Sequence, residues 1–196
     1  MIRHLDAAHW RAWHGDSFPH DCWRVDGDTL HAIAGTRRVD LISLARYRDF
    51  MLRFEFALPV AGNSGVFFHV EEDAELSWHS GPEMQLLDDQ GHPDGQVAET
   101  CNGALYGLLP PLAATRLIPD QFIEAALSVR NGQVEHWLDR QLVLRYRLDD
   151  PLLRKRISTS KFSRFQRFAQ ATEGHVVLQH HGEAVCFRRL SIETSD

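Results

Sequence analysis

A glutamine, a histidine and an arginine near the C-terminus, and a Glu-Gln pair earlier in the chain, occupy positions where a stable strand would more cheaply carry Thr or Val. In PEMQLLD (82–88), side chains alternate every two residues, so Glu83 and Gln85 share one face and Asp88 closes the strand. In HVVLQHHGEAVCFRRLSI (175–192), two apolar runs flank a polar turn, which predicts a β-hairpin. Its first arm carries Gln179 and His181 on one face, and its second carries Arg188. Asn63, His69 and Tyr106 lie on or beside further strands. A carboxylate, an imidazole, a guanidinium and several amides on one surface are the equipment for acid–base chemistry on a polyhydroxylated ligand. Taken singly, each is weak evidence, because exposed polar positions on a sheet are commonly idle. The expectation is that several strands bring them together.

Those strands are legible along most of the chain. FMLRFEFAL (50–58) alternates cleanly, with Phe50, Leu52, Phe54, Phe56 and Leu58 on one face. NSGVFFHV (63–70) follows a connection rich in turn residues. FIEAALSVR (122–130) and QVEHWLD (133–139) flank Asn131-Gly132, the favoured hairpin turn, and QLVLRYRL (141–148) continues the meander after Asp139-Arg140. Helical signals are weak: one short turn in DAAHWRAW (6–13), and a basic stretch at 149–172 expected to form a loop with a short helix. The positive charge of that stretch reads as a solvated face. Trp10, Trp13 and Trp23 are expected in the core. Many short strands with Gly, Asn and Pro turns predict an all-β sandwich or jelly roll whose curved sheet offers a concave groove. No linker or internal repeat divides residues 1–196, so one domain is expected.

Composition narrows the partners. A net charge of -6 lacks the basic excess that nucleic acid or an anionic membrane surface would want. The apolar stretches fall short of a membrane span. MIRHLDAAHWRAW has no apolar signal region, so no signal peptide is expected and a cytoplasmic location follows. Cys22, Cys101 and Cys186 are too scattered for a disulfide framework. The 12 histidines invite zinc, yet no H-x-H or H-x-x-x-H pair occurs and His180 and His181 point to opposite strand faces. No cofactor is required by the residues; a divalent cation held by oxygen ligands in the 88–103 loop stays open. A small sugar is the expected partner, and oligomeric state is left open.

In order along the chain, several blocks resemble the motifs of the 3-keto-disaccharide hydrolase family. They are WRVDGDTL (23–30), DFMLRFEF (49–56), NSGVFFH (63–69), EMQLLD (83–88), GALYGLLPP (103–111), SKF (160–162) and the closing GHVVLQHHG…VCFRRLSI. Each is weak alone; in sequence they are specific. The chain departs from the family pattern at His69 (usually Arg), His180 (usually Asp) and Arg189 (usually Asn), and Asp139-Arg140 stands for an Asn-Gly turn. The family's usual Trp-Asn before the central hairpin is missing, with Gln121-Phe122 nearby.

The resemblance implies a concanavalin A-like jelly roll of two antiparallel sheets with a concave sugar-binding face. It also implies cleavage of glycosides whose 3-hydroxyl is already a ketone. That ketone acidifies the C2–H; removal of the proton gives an enolate that expels the C1 aglycone, and water then adds to the unsaturated sugar. Glu83 or His181 would be the base and the other the acid, with Arg188, or a divalent ion in its place, stabilising the enolate. Asn63, His69, Gln85, Asp88 and Gln179 would hold the sugar, and Tyr106 would stack or hydrogen-bond. A non-catalytic, lectin-like module is the alternative, since one fold hosts many functions. A glucanase is disfavoured because its E-x-D-x-x-E spacing is absent.

Overall fold

Phe50, Leu52, Phe54 and Phe56 are all buried, whereas Arg53 between them is exposed, so the alternation read from the sequence sets one sheet's inner face. The computed structural model describes residues 1–194. In chain order its strands are β1 (Ile2–His4), β2 (Trp10–Ala12), β3 (Trp23–Asp26), β4 (Thr29–Ala32), β5 (Leu41–Tyr47), β6 (Phe50–Ala57) and β7 (Asn63–Val70). They continue with β8 (Glu83–Leu87), β9 (Ile123–Arg130), β10 (Gln133–Leu138), β11 (Gln141–Arg147), β12 (Gly174–Leu178) and β13 (Cys186–Thr194). One helix, α1 (Pro151–Thr159), precedes a short 3-10 turn at Lys161–Arg164.

Two antiparallel sheets form a sandwich. The larger has eight strands in the order β11-β10-β9-β6-β13-β4-β3, with β1 added on β13; the smaller runs β2-β5-β12-β7-β8. Phe54 and Phe187 from the large sheet meet Val66, Phe68, Met84 and Leu178 from the small one in a single core. The smaller sheet is buried on both faces. Val66 and Phe68 point into the sandwich, while Phe67, Val177, Ile42 and Val70 form a second apolar cluster against Trp13 and Trp78. Trp13 therefore packs on the outer face of the small sheet, unlike Trp10 and Trp23, which are buried in the main core.

One expectation fails here, with consequences for the site. Residues 175–192 are not a hairpin: β12 pairs with β5 and β7 in the small sheet, and β13 pairs with β6, β4 and β1 in the large one. The polar turn between them carries the chain from one sheet to the other. His180 turns inward at that crossing, with Nε2 3.2 Å from Ile33 O and its ring edge-on to Trp23.

Candidate active site

Register on the small sheet gathers the first group. Phe67 is paired with Glu83, Gly65 with Gln85, and Asn63 with Leu87, so these side chains share the outer face. Gln179 continues β12 two residues beyond Val177 and joins the same face; its N–H donates to Gly65 O at 2.9 Å. Glu83 lies across Gly65, whose missing side chain makes its room: a Cβ built there would fall 2.0 Å from Glu83 Oε1. Gly65→Ala is expected to displace the Glu83 carboxyl and reduce turnover at least about 100-fold. Steady-state kinetics beside a thermal melt measure this; an active, stable Gly65→Ala protein would show that the position of Glu83 does not matter.

Glu83 is buried, and desolvation raises its pKa to about 8, opposed by the nearby Lys161 ammonium and reinforced by Asp40 and Asp94. With its amide nitrogen turned toward its two acceptors, Gln85 donates to Glu83 Oε1 at 3.2 Å and to Ser64 O at 3.0 Å. A neutral carboxyl is thus held at the floor of the site at pH 7.

Lys161, from the segment after α1, brings its charge near this carboxyl. Asp150 caps the helix, accepting from Leu152 N at 2.8 Å, and Ser160 caps the next turn, accepting from Phe162 N at 3.1 Å. Phe162 is buried and stacked on Phe168 with centroids 4.1 Å apart. Between the cap and this anchor, Lys161 can only project over the Tyr106 ring, with Nζ 4.3 Å from its centroid and 5.7 Å from that of Trp78. Partial desolvation lowers its pKa, while Glu83 and Asp94 pull it up. Tyr106 donates its hydroxyl proton to Asp94 Oδ2 at 3.2 Å, and burial beside two carboxyls raises its pKa to about 12. Sequence reasoning misses Lys161: the basic stretch reads as a solvated face, although Ser160-Lys161-Phe162 is one of the blocks that carry the family resemblance.

A cleft of about 400 Å³ opens beside these groups, lined by Trp13, Arg38, Asp40, Trp78, Gln179 and His181 among others. Gln179 Oε1 is buried and finds no donor among the described residues, so it is free for a ligand hydroxyl. His181 is partly exposed, with Nδ1 3.2 Å from Glu183 Oε2 and its ring edge-on to His92 at 6.4 Å. Asn63 Nδ2 lies 3.5 Å from His92 Nε2. Asp40, a second residue unsuspected from sequence, accepts from His180 N at 2.9 Å and from Ser77 Oγ at 2.8 Å, and burial lifts its pKa to about 6. It anchors the backbone that presents His181.

Three expected site residues lie elsewhere or do other work. Arg188 belongs to β13 and therefore to the other sheet. Its Nε donates to Glu55 Oε2 at 2.7 Å and its guanidinium lies 3.7 Å over the Phe122 ring. His69 sits at the far end of β7 with φ of 50°, a left-handed residue that turns its ring off the site face. Its Nε2 meets Arg48 O at 2.8 Å, and burial lowers its pKa. Asp88 is a turn former: Oδ2 accepts from Ala61 N at 2.8 Å and Oδ1 from Gln90 N at 3.3 Å. Glu83, Gln85, Asn63, Tyr106, Gln179 and His181 are brought to the outer face of the small sheet or its rim. Among the described residues, no three His, Cys, Asp or Glu side chains come together as a metal site.

Comparison with known proteins bears on the family and the fold. The family described as a 3-keto-alpha-glucoside-1,2-lyase-like domain matches residues 4–193. A Bacteroides thetaiotaomicron protein named 3-keto-disaccharide hydrolase is 27% identical over 80% of this chain and 62% of its own length. The chain thus spans less than two thirds of that relative. A solved structure from Parabacteroides distasonis, described as a candidate glycosyl hydrolase, superposes with a TM-score of 0.87 at 23% identity, covering 97% of this chain and 90% of that one. The carbohydrate-binding module CBM66 of Bacillus subtilis shares the fold at a TM-score of 0.60 and 12% identity, over 95% of this chain and 96% of that one.

Proposed function

We propose, from the premise that the chain belongs to the 3-keto-alpha-glucoside-1,2-lyase-like domain family, that it cleaves 3-keto-glycosides by β-elimination at the outer face of its small sheet. The observation that carries this reading is Glu83, a buried carboxyl kept neutral by desolvation near the Lys161 ammonium. Such a pair supplies a proton donor and a fixed positive charge in one low-dielectric site.

His181, with Nδ1 toward Glu183, presents Nε2 as the base that takes the C2 proton. The C2–H electrons form the C2=C3 enolate, whose oxygen Lys161 stabilises in place of Arg188. Collapse of the enolate makes the C1=C2 bond and breaks the bond from C1 to the aglycone oxygen, which takes the Glu83 proton. Gln85, Gln179 and Asn63 hold hydroxyls, and Trp78 and Tyr106 flank the ring. Water then adds across the unsaturated bond.

The enzyme is expected to release the aglycone from a 3-keto-glucoside and to leave the parent glucoside intact, with EDTA unable to reduce the rate. Cleavage of both substrates would refute elimination. Binding of the keto-glucoside without turnover would make the chain a sugar-binding module, and loss of rate with EDTA would place a metal in the reaction.

A further inference from the structure

The outer face of the large sheet, on the opposite side of the sandwich from Glu83, carries a groove with its own chemistry. It has a volume of about 610 Å³ and is lined by Arg53, Glu55, Ala126, Trp137, Arg140 and Arg189 among others. A neighbouring hollow of about 410 Å³ shares Glu55, Glu124 and Arg140 and extends the groove toward Phe122 and Arg188. Across four strands, the register places Trp137 beside Ala126, Ala126 beside Arg53, and Arg53 beside Ser191. Ala126 therefore lowers the floor between Trp137 and Arg53, and Ser191 lowers it again on the far side of Arg53. The Trp137 indole is fixed by donating to Glu135 Oε2 at 3.1 Å.

Two of the arginines stand on costly backbone. Arg189 has φ of 52° where β13 bulges against β6, and Arg140 has φ of 62° in the turn after β10. Left-handed positions favour Gly or Asn, and a long side chain there needs a reason. Both bring their guanidinium groups to the same groove. The bulge also puts Arg188 and Arg189, neighbours in sequence, on one carboxylate, Glu55, each at 2.7 Å.

We infer that this groove is a second carbohydrate site, which binds a neutral oligosaccharide chain along Trp137. An anion is disfavoured because each arginine already has a carboxylate partner: Arg188 and Arg189 share Glu55, Arg140 holds Glu124 at 2.8 and 2.9 Å, and Arg53 holds Glu193 at 3.1 Å. Paired in this way, the guanidinium groups keep spare N–H donors and the carboxylates keep spare lone pairs. Sugar hydroxyls, which both donate and accept, satisfy the two kinds together. Trp137 offers its ring to the apolar C–H side of a pyranose, and the continuous hollow gives room for more than one sugar unit. The site would hold a glycan while the opposite sheet does chemistry, and it stands whether or not the elimination reading does.

The test is a titration of full-length protein with cellohexaose and laminarihexaose, with an oligogalacturonate as the charged comparator. Binding is followed by the indole N–H signal of Trp137, assigned with Trp137→Phe. At least one neutral hexasaccharide is expected to shift that signal saturably, in Glu83→Gln as in wild type, and to bind more tightly than the oligogalacturonate. Arg189→Asn is expected to raise the melting temperature, since Asn accepts the left-handed backbone, yet to weaken binding at least fivefold. Weaker binding in a more stable protein separates ligand contact from damage to the fold. Any of three results would overturn the inference: no hexasaccharide binding, shifts confined to Trp13 and Trp78, or unchanged affinity in Arg189→Asn.

Discussion

Replacing Glu83 by Gln is expected to lower turnover of a 3-keto-disaccharide by roughly 10²–10⁴, the usual contribution of a positioned general acid. The same protein should be more stable than wild type at alkaline pH. Glu83 titrates near 8 when folded, against a reference value of 4.5. A raised pKa means the folded state holds its proton more tightly, so the associated stability is complete below about pH 4.5 and is lost as pH rises through 8. Wild type therefore weakens across that window by at most on the order of 5 kcal/mol, and Glu83→Gln does not. Melts of both proteins from pH 5 to pH 9 read this directly; parallel curves would mean that Glu83 is ionised throughout. Turnover carries the same signature. If Glu83 is the acid, kcat/KM falls above about pH 8, whereas a rise through pH 8 would make it the base. The leaving group gives an independent check. A nitrophenolate leaves without a proton, so the Glu83→Gln defect should shrink on a 3-keto-nitrophenyl glucoside. An equal defect on both substrates would remove Glu83 from the leaving-group side.

The balance between what the chain shows in one dimension and what it hides follows from particular residues. Strands β6, β9, β10 and β11 were legible because local alternation and the Asn131-Gly132 turn encode them. Glu83 and Gln85 were legible for the same reason: one strand sets their common face. Gln179 and Arg188 look equally local, only nine residues apart, yet they belong to different sheets. No nearby residue records that β12 pairs with β7 while β13 pairs with β6; long-range packing decides it. The small sheet also hid its second buried face, because β7 is apolar on both sides and loses the period-two signal. Lys161 was concealed by its basic neighbours, as charge alone does not distinguish a solvated lysine from one folded over a tyrosine ring. Asp40 gave no motif at all; its role comes from a backbone N–H 140 residues away.

The exchange of Arg188 for Lys161 as the cationic partner makes the sharpest contrast between sequence and geometry, and the two variants should separate completely. Lys161→Met is expected to reduce kcat by about 10²–10³, the cost of removing one preorganised charge from a developing oxyanion. The fold should be little affected, because Phe162 rather than Lys161 anchors the segment. Without the ammonium, the Glu83 pKa should climb further above 8, since that charge is the main influence holding it down. The alkaline limb of the pH profile would then move upward even as the rate falls, a change that simple loss of packing would not give. Arg188→Ala should do the reverse. It abandons a stacking partner on Phe122 and half of the pairing on Glu55, a largely buried carboxylate that keeps Arg189. The expected cost is roughly 1–3 kcal/mol of stability, with kcat within about twofold of wild type, because the residue lies on the sheet opposite the proposed substrate face. Kinetics and denaturant melts of the two variants decide the matter. A dead but stable Arg188→Ala would return the arginine to the reaction and take Lys161 out of it. Such a result would require the large sheet, and not the small one, to carry the chemistry.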